Sequence, residues 1–196
     1  MTLFISLNFR RGIMYWRQFC LFSLILCLLL FLGCSDDTSD KMTDVGTVDK
    51  DPSFRIAPNF TLLNTELQEA SLSDYHGKVV IVDFWATWCK PCKEEIPRFI
   101  ELYDEYRAQG FEMIGISTDD VEVRLKDIEL FFQELSKEGA DINYPILLAD
   151  SETIQSYQVP VLPSAYLINR NGEIVKVFSG AQESKETYES EIKKWL

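Results

Sequence analysis

The sequence predicts an α/β fold in which helices cover both faces of a central sheet. Two observations carry that expectation. After Lys78, "KVVIVDFWA" (Lys78–Ala86) is a β-branched and aromatic run interrupted only by Asp83, the pattern of a strand buried on both faces, and "FEMIGIST" (Phe111–Thr118) reads as a second buried strand. After each of them apolar residues recur at helical spacing. The first series is Ile96, Phe99, Ile100, Tyr103 and Tyr106; the second is Val121, Leu125, Ile128, Phe131, Phe132 and Leu135.

Taken in order, the chain begins with an export signal. Residues 1–33 contain Arg10, Arg11 and Arg17 but no acidic residue, and they end in the apolar run "FCLFSLILCLLLFLG" (Phe19–Gly33). Fifteen residues fall short of the about 20 that a spanning helix needs and suit a signal h-region. Met14 is a candidate start that would shorten the long basic region. The border "LFLGC" resembles a bacterial lipoprotein processing site, with Phe31 where leucine is more usual. That resemblance implies cleavage before Cys34 and lipidation of its thiol. The alternative is an uncleaved anchor helix, and both readings tie the body to a membrane outside the cytoplasm. Residues 34–54 are mostly polar and form a tether.

Residues 55–196 form the expected domain. "PNFTLLN" is a short strand, followed by turn and loop through "ASLSDYHGK". The first long strand leads into the first helix, which closes at Gly110, and the second strand into a helix that closes at Gly139. "YPILLAD" (Tyr144–Asp150) is a third strand, followed by a short helix over Ser151–Tyr157. "SAYLINRNGEIVKVFSG" (Ser164–Gly180) is a hairpin turning at Asn171-Gly172. The terminal segment is a charged helix with Tyr188, Ile192 and Trp195 on one side.

A composition of 46% hydrophobic and 26% charged residues is that of a globular protein. All 31 Asp and Glu lie beyond residue 33. So acidic a body repels phosphate backbones, which argues against nucleic-acid partners. Of five cysteines, Cys20 and Cys27 fall in the signal and Cys34 at its border, leaving Cys89 and Cys92 in "DFWATWCKPCKEEIP". Two thiolates fall short of the four ligands of a closed zinc site, and the single histidine, His76, reads as a solvated turn residue. A structural bridge over so short a loop stabilises little. A redox pair fits better. It stands where a buried strand hands over to a helix, whose free N–H groups and dipole favour an anion. Cys89 is therefore expected to be an accessible thiolate of lowered pKa, with Lys90 adding positive charge and Cys92 placed to release the product.

The same stretch, with "LSDYHGKVV", "VLPSAYLINRNGEIV" and the last helix, resembles the TlpA/ResA-like branch of the thioredoxin-fold proteins. The resemblance implies a central mixed sheet flanked by helices, an N-terminal extension of the TlpA type, and a helical insertion over Val121–Gly139. It also implies roles. Cys89 matches the attacking thiol, Cys92 the resolving thiol, and Pro163 the cis-proline facing the site, with Pro160 left as a loop residue. Leu162 would pair its backbone with a substrate chain, and Trp88, Lys90 and Pro91 would complete the surface that chain meets. Asp83 matches the buried acid that moves the proton of Cys92, and Glu95 an acid that tunes the thiols; both are carried as catalytic candidates. Trp85 reads as core.

The expected activity is thiol–disulfide exchange without metal or cofactor. Its expected direction is the reduction of disulfides in exported proteins, apocytochrome c among them, with electrons from a membrane thiol carrier. A thiol peroxidase would place a threonine three residues before the reactive cysteine, where this chain has Ala86. A copper-binding or adaptor lipoprotein is the non-enzymatic alternative; copper chaperones of this fold space their cysteines by three and add a downstream histidine.

Overall fold

A computed structural model describes residues 54–122, 124–180 and 183–196. The expected export signal, Cys34 and the tether up to residue 53 lie outside the described residues. Among the described residues no helix is long and apolar enough to cross a membrane.

Six strands form one mixed sheet in the order β1 (Arg55–Ile56), β8 (Glu173–Ser179), β7 (Ser164–Ile168), β4 (Val79–Trp85), β5 (Phe111–Ser117) and β6 (Ile146–Leu148). A separate hairpin pairs β2 (Thr61–Leu63) with β3 (Glu69–Ser71). Strands β4, β5 and β6 run parallel. Parallel neighbours need long crossovers, which helices α1 (Lys90–Tyr106) and α2 (Arg124–Lys137) supply. After α3 (Ser151–Tyr157), β7 and β8 return antiparallel beside β4, and α4 (Lys185–Lys193) closes the chain.

Side chains alternate across the sheet, so β4 feeds two cores. Val79, Ile81 and Trp85 join Ile96, Phe99 and Leu102 of α1, Ile128, Phe131 and Leu135 of α2, and Tyr188 and Ile192 of α4. Val80, Val82 and Phe84 join Phe60, Leu62 and Tyr157 on the other side. Asp83 keeps the register of Ile81 and Trp85 and is thereby committed to the face under α1. Directly opposite it in β5 stands Gly115. A Cβ there would lie 2.7 Å from Ile146 Cδ1 and 3.0 Å from Trp85 Nε1, so only glycine lets that indole lie across the strand. Phe131 of α2 covers the indole at 5.1 Å between centroids.

Most elements fall where the apolar patterns place them, with differences at their ends. The second helix starts at Arg124, so Val121 precedes it and is 72% exposed, while Leu125 on its first turn is 41% exposed. Val121 stands in the turn ahead of the helix, and Leu125 on the first helical turn lies outside the buried stripe of Ile128, Phe131 and Leu135. The third strand is limited to Ile146–Leu148, the residues there that pair with β5. The loop expected through "ASLSDYHGK" contains β3 and a 3-10 turn over Leu72–Tyr75. Trp195 lies beyond α4, half-buried, with its ring edge-on to Phe54 at 5.6 Å.

Candidate active site

Strand β4 ends at Trp85, and a few residues later Cys89 caps α1. Its backbone is extended at that point, with φ −83° and ψ 97°, and its N–H donates to Ala86 O at 3.1 Å. Pro91 fits the first helical turn, where its missing N–H costs nothing. Cys89 and Cys92 form a disulfide with Cα atoms 5.3 Å apart. The Cys92 N–H, one of the unpaired donors at the helix start, points at Cys89 Sγ from 3.3 Å. When the pair is reduced, that donor and the helix dipole stabilise negative charge on Cys89.

Accessibility differs from the sequence expectation. In the disulfide form Cys89 is 4% exposed and Cys92 1%, both packed with the core cluster under α1. The exposed groups are their neighbours: Trp88 is 73% exposed, and Lys90 and Pro91 also face solvent. Trp88 thus forms a raised apolar border. Lys90 lies 3.9 Å from Glu94, while Lys93 turns away to Glu138 and Glu134 at the α2 side, at 3.1 and 3.7 Å.

The proline loop reaches the same end of the sheet. Ser164 pairs with Phe84, which sets Pro163 beside the Trp85 end of β4. The Leu162–Pro163 peptide is cis, Pro163 is buried, Leu162 half-buried and Pro160 exposed. Pro163 O accepts from Gly180 N at 2.8 Å, and Ser164 Oγ donates to Val161 O at 2.7 Å, fixing the loop against β8.

Two acids are buried on the helix side of β4. Asp83 is almost inaccessible, and among the described residues its Oδ1 has no hydrogen-bond partner. Loss of hydration pushes its pKa well above the ordinary carboxylate range, and the nearby charge of Glu95 adds to the rise. Glu95 lies one turn after Cys92 on α1 and is equally buried. Its Oε1 accepts from the Tyr188 hydroxyl, while its Oε2 has no partner among the described residues. Burial raises Glu95 to about 7 despite the opposing Tyr188 hydrogen bond and Arg98 charge, and Glu183 adds to the rise. Tyr144, buried in the same cluster, is held protonated by burial first and by Asp83 and Glu95 second.

Two contributors escape sequence reasoning. One is Tyr188, legible only as part of the α4 apolar stripe. The other is Asp119, at the carboxyl end of β5. Its carboxylate accepts from Thr87 N (3.1 Å to each oxygen), from Thr87 Oγ1 at 2.7 Å and from Ser117 Oγ at 2.8 Å. With Thr118 N donating to Trp85 O at 2.8 Å, it clamps the segment that delivers Cys89. The polar run "STDD" directly after a buried parallel strand is the signal that could have drawn notice, since sites gather at such strand ends. Asp119→Ala leaves the Thr87 donors unmatched. It is expected to cost about 1–3 kcal/mol in a denaturant titration and to slow disulfide exchange; an unchanged unfolding midpoint would refute the clamp.

A model of the AhpC/TSA family matches residues 55–177, a span that contains the cysteine pair, both buried acids and the proline loop. The chain belongs to that family. Within the family it is similar to "Thiol-disulfide oxidoreductase ResA" of Bacillus thuringiensis subsp. konkukian, at 34% identity over 139 residues, 70% of this chain and 75% of the relative. The protein of the same name from Geobacillus kaustophilus is 34% identical over 137 residues, 69% of this chain and 74% of the relative. Among solved structures, a putative thiol:disulfide interchange protein DsbE from Chlorobium tepidum superposes with a TM-score of 0.64 at 29% identity, covering 72% of this chain and 95% of that one. The fold is the thioredoxin fold, and this AhpC/TSA member is a ResA-like thiol–disulfide oxidoreductase.

Proposed function

We propose that the protein reduces disulfides of exported proteins outside the cytoplasm, held at the membrane through a lipidated Cys34. The observation that carries the chemistry is the Cys92 N–H aimed at Cys89 Sγ at a helix start, above two buried acids. Cys89 thiolate attacks one sulfur of a target disulfide and expels the other as a thiolate, forming a mixed disulfide. Cys92 gives its proton to a neighbouring carboxylate and attacks Cys89 Sγ. The second substrate sulfur then leaves and takes up a proton. Two electrons pass to the substrate, the Cys89–Cys92 bond forms, and an external dithiol donor at the membrane restores the reduced pair. Cys89 and Cys92 are the catalytic residues of this scheme. Asp83 and Glu95 handle the proton, and Leu162, Pro163, Trp88, Lys90 and Pro91 receive the substrate chain. Apocytochrome c belongs to the substrate class this reading admits.

The buried acids support the reducing direction. A helix start stabilises the dithiol's anionic form and alone makes a pair more oxidising. Ionised Glu95, one turn from Cys92, repels a thiolate and counters that tendency, so electrons leave the pair more readily. Equilibration with glutathione at pH 8 tests this. Glu95→Gln is expected to raise the reduction potential by roughly 30 mV, the equivalent of about 1.4 kcal/mol for two electrons. An unchanged or lower potential would count against the reducing assignment. The export and anchoring parts are tested by fractionation, in which Cys34→Ser is expected to release the body from membranes. A peroxidase reading draws no support from the site, since Ala86 stands three residues before Cys89 and the Thr87 hydroxyl is donated to Asp119.

A further inference from the structure

Tyr188 has no place in the scheme above, yet it touches Glu95, one helical turn from Cys92. It comes from the last helix, 93 residues along the chain from Glu95. Its ring is packed between Phe99 of α1 and Phe178 of β8, with centroids at 5.0 and 4.5 Å. It is 1% exposed. A phenol so deeply buried needs an acceptor, and the one it takes is Glu95 Oε1. Asp83 receives no such donor: its Oδ1 is unpartnered among the described residues.

The two carboxyls therefore have unequal surroundings. A hydrogen bond donated to a carboxylate favours its ionised form, and burial without a donor favours the neutral acid. We propose that Tyr188 is a positioning residue for disulfide exchange, its hydroxyl fixing which of the two buried carboxyls beneath the cysteine pair carries the proton. Glu95, tied to Tyr188, is the ionised partner and the base. Asp83, with no donor, is the neutral acid. The other groups facing this pair act in the same sense or weakly: Arg98 on the helix of Glu95 favours its ionisation, Glu183 ahead of α4 opposes it, and Tyr144 stays neutral. When Cys92 is deprotonated, its proton passes to Glu95, and Asp83 keeps its own. Removing the Tyr188 donor narrows the difference between the two acids, leaving Arg98 alone to favour the ionised form of Glu95.

This inference rests on the reading of Glu95 as the acid that tunes the thiols, and the experiment separates the two. The reduced protein is alkylated with iodoacetamide across pH 5 to 10, in the wild type, Tyr188→Phe, Glu95→Gln and the double variant. Phenylalanine keeps the ring between Phe99 and Phe178 and removes only the donor. The wild type is expected to show an inflection near the Glu95 value of about 7, absent in Glu95→Gln. In Tyr188→Phe that inflection is expected about one pH unit higher, the equivalent of a hydrogen bond to a charged group; in the double variant the hydroxyl's loss is expected to change nothing further. If the wild type lacks the inflection, the Glu95 reading and the Tyr188 proposal both fall. If the inflection vanishes in Glu95→Gln but is unmoved in Tyr188→Phe, only the Tyr188 proposal falls. A second measurement does not depend on that variant folding. Infrared spectra of the wild type at pH 8 are expected to contain a protonated-carboxyl band that Asp83→Asn removes and Glu95→Gln retains; the reverse pattern overturns the proposal.

Discussion

Cys89→Ser is expected to leave insulin disulfides no more reduced than buffer with dithiothreitol does, a loss of at least about 1000-fold in a reaction whose nucleophile is a thiolate. A serine hydroxyl is not ionised near neutral pH, and the Cys92 N–H that would stabilise a sulfur anion at 3.3 Å has no anion to stabilise. Cys92→Ser has a different outcome. Cys89 remains, still capped at the helix start, and still attacks, but the ring closure that evicts the substrate is gone. The expected product is a stable mixed disulfide visible on a non-reducing gel and dissolved by reductant. The asymmetry between the two variants is the decisive reading. If Cys92→Ser failed to trap while Cys89→Ser trapped, the roles of the two thiols would be exchanged. The burial of both sulfurs in the disulfide form adds a kinetic expectation. Re-reduction of the oxidised protein by a bulky protein dithiol should be slower than by dithiothreitol, because the larger donor meets Trp88 and the proline loop first.

The sheet was legible because its central strands are mostly apolar on both faces: in Val79–Trp85 only Asp83, and in Phe111–Ser117 only Glu112 and Ser117, interrupt the pattern of core strands. The cysteine pair was legible for a local reason as well, since the strand-to-helix junction that activates it lies within one short stretch of chain. Asp83 could be read as buried because its neighbours on both sides are, and Glu95 as close to Cys92 because one helical turn separates them. Asp119 and Tyr188 were not legible in their roles. Their partners lie 32 and 93 positions away, and no periodicity encodes a tertiary hydrogen bond. Tyr188 was visible only as an apolar stripe member, since the pattern that buries a ring says nothing about where its hydroxyl ends. The exposure of Val121 was not legible for a related reason: helical spacing continues smoothly across a helix start, whereas the backbone turns there.

The stability of the oxidised protein is expected to fall as pH rises through the range where Glu95 ionises. Burial raises its pKa from 4.5 to about 7 in the folded state. The unfolded chain therefore releases this proton first, and folding binds it more tightly. The sign follows. The contribution is fully present below pH 4.5 and is lost as pH rises to about 7 and beyond. At about 1.36 kcal/mol for each unit, the full loss is about 3 kcal/mol. Asp83, raised for the same reason and in the same direction, adds to the slope. Glu95→Gln removes one titrating proton while preserving size and the acceptor for Tyr188. Guanidinium titrations at pH 4.5 and about pH 8 are expected to show the wild type losing more stability than the variant between those values, by that amount. The glutamine of this variant is thus the less costly side chain in alkaline solution, even though it is expected to raise the reduction potential of the cysteine pair. Parallel stability curves for the two proteins would mean that Glu95 is ionised as easily in the fold as in the unfolded chain, and that its carboxylate is not held away from water. A buried acid kept at a stability cost is what a proton-handling role requires, since a carboxyl that titrates with the thiols must be hindered from ionising at its ordinary pH.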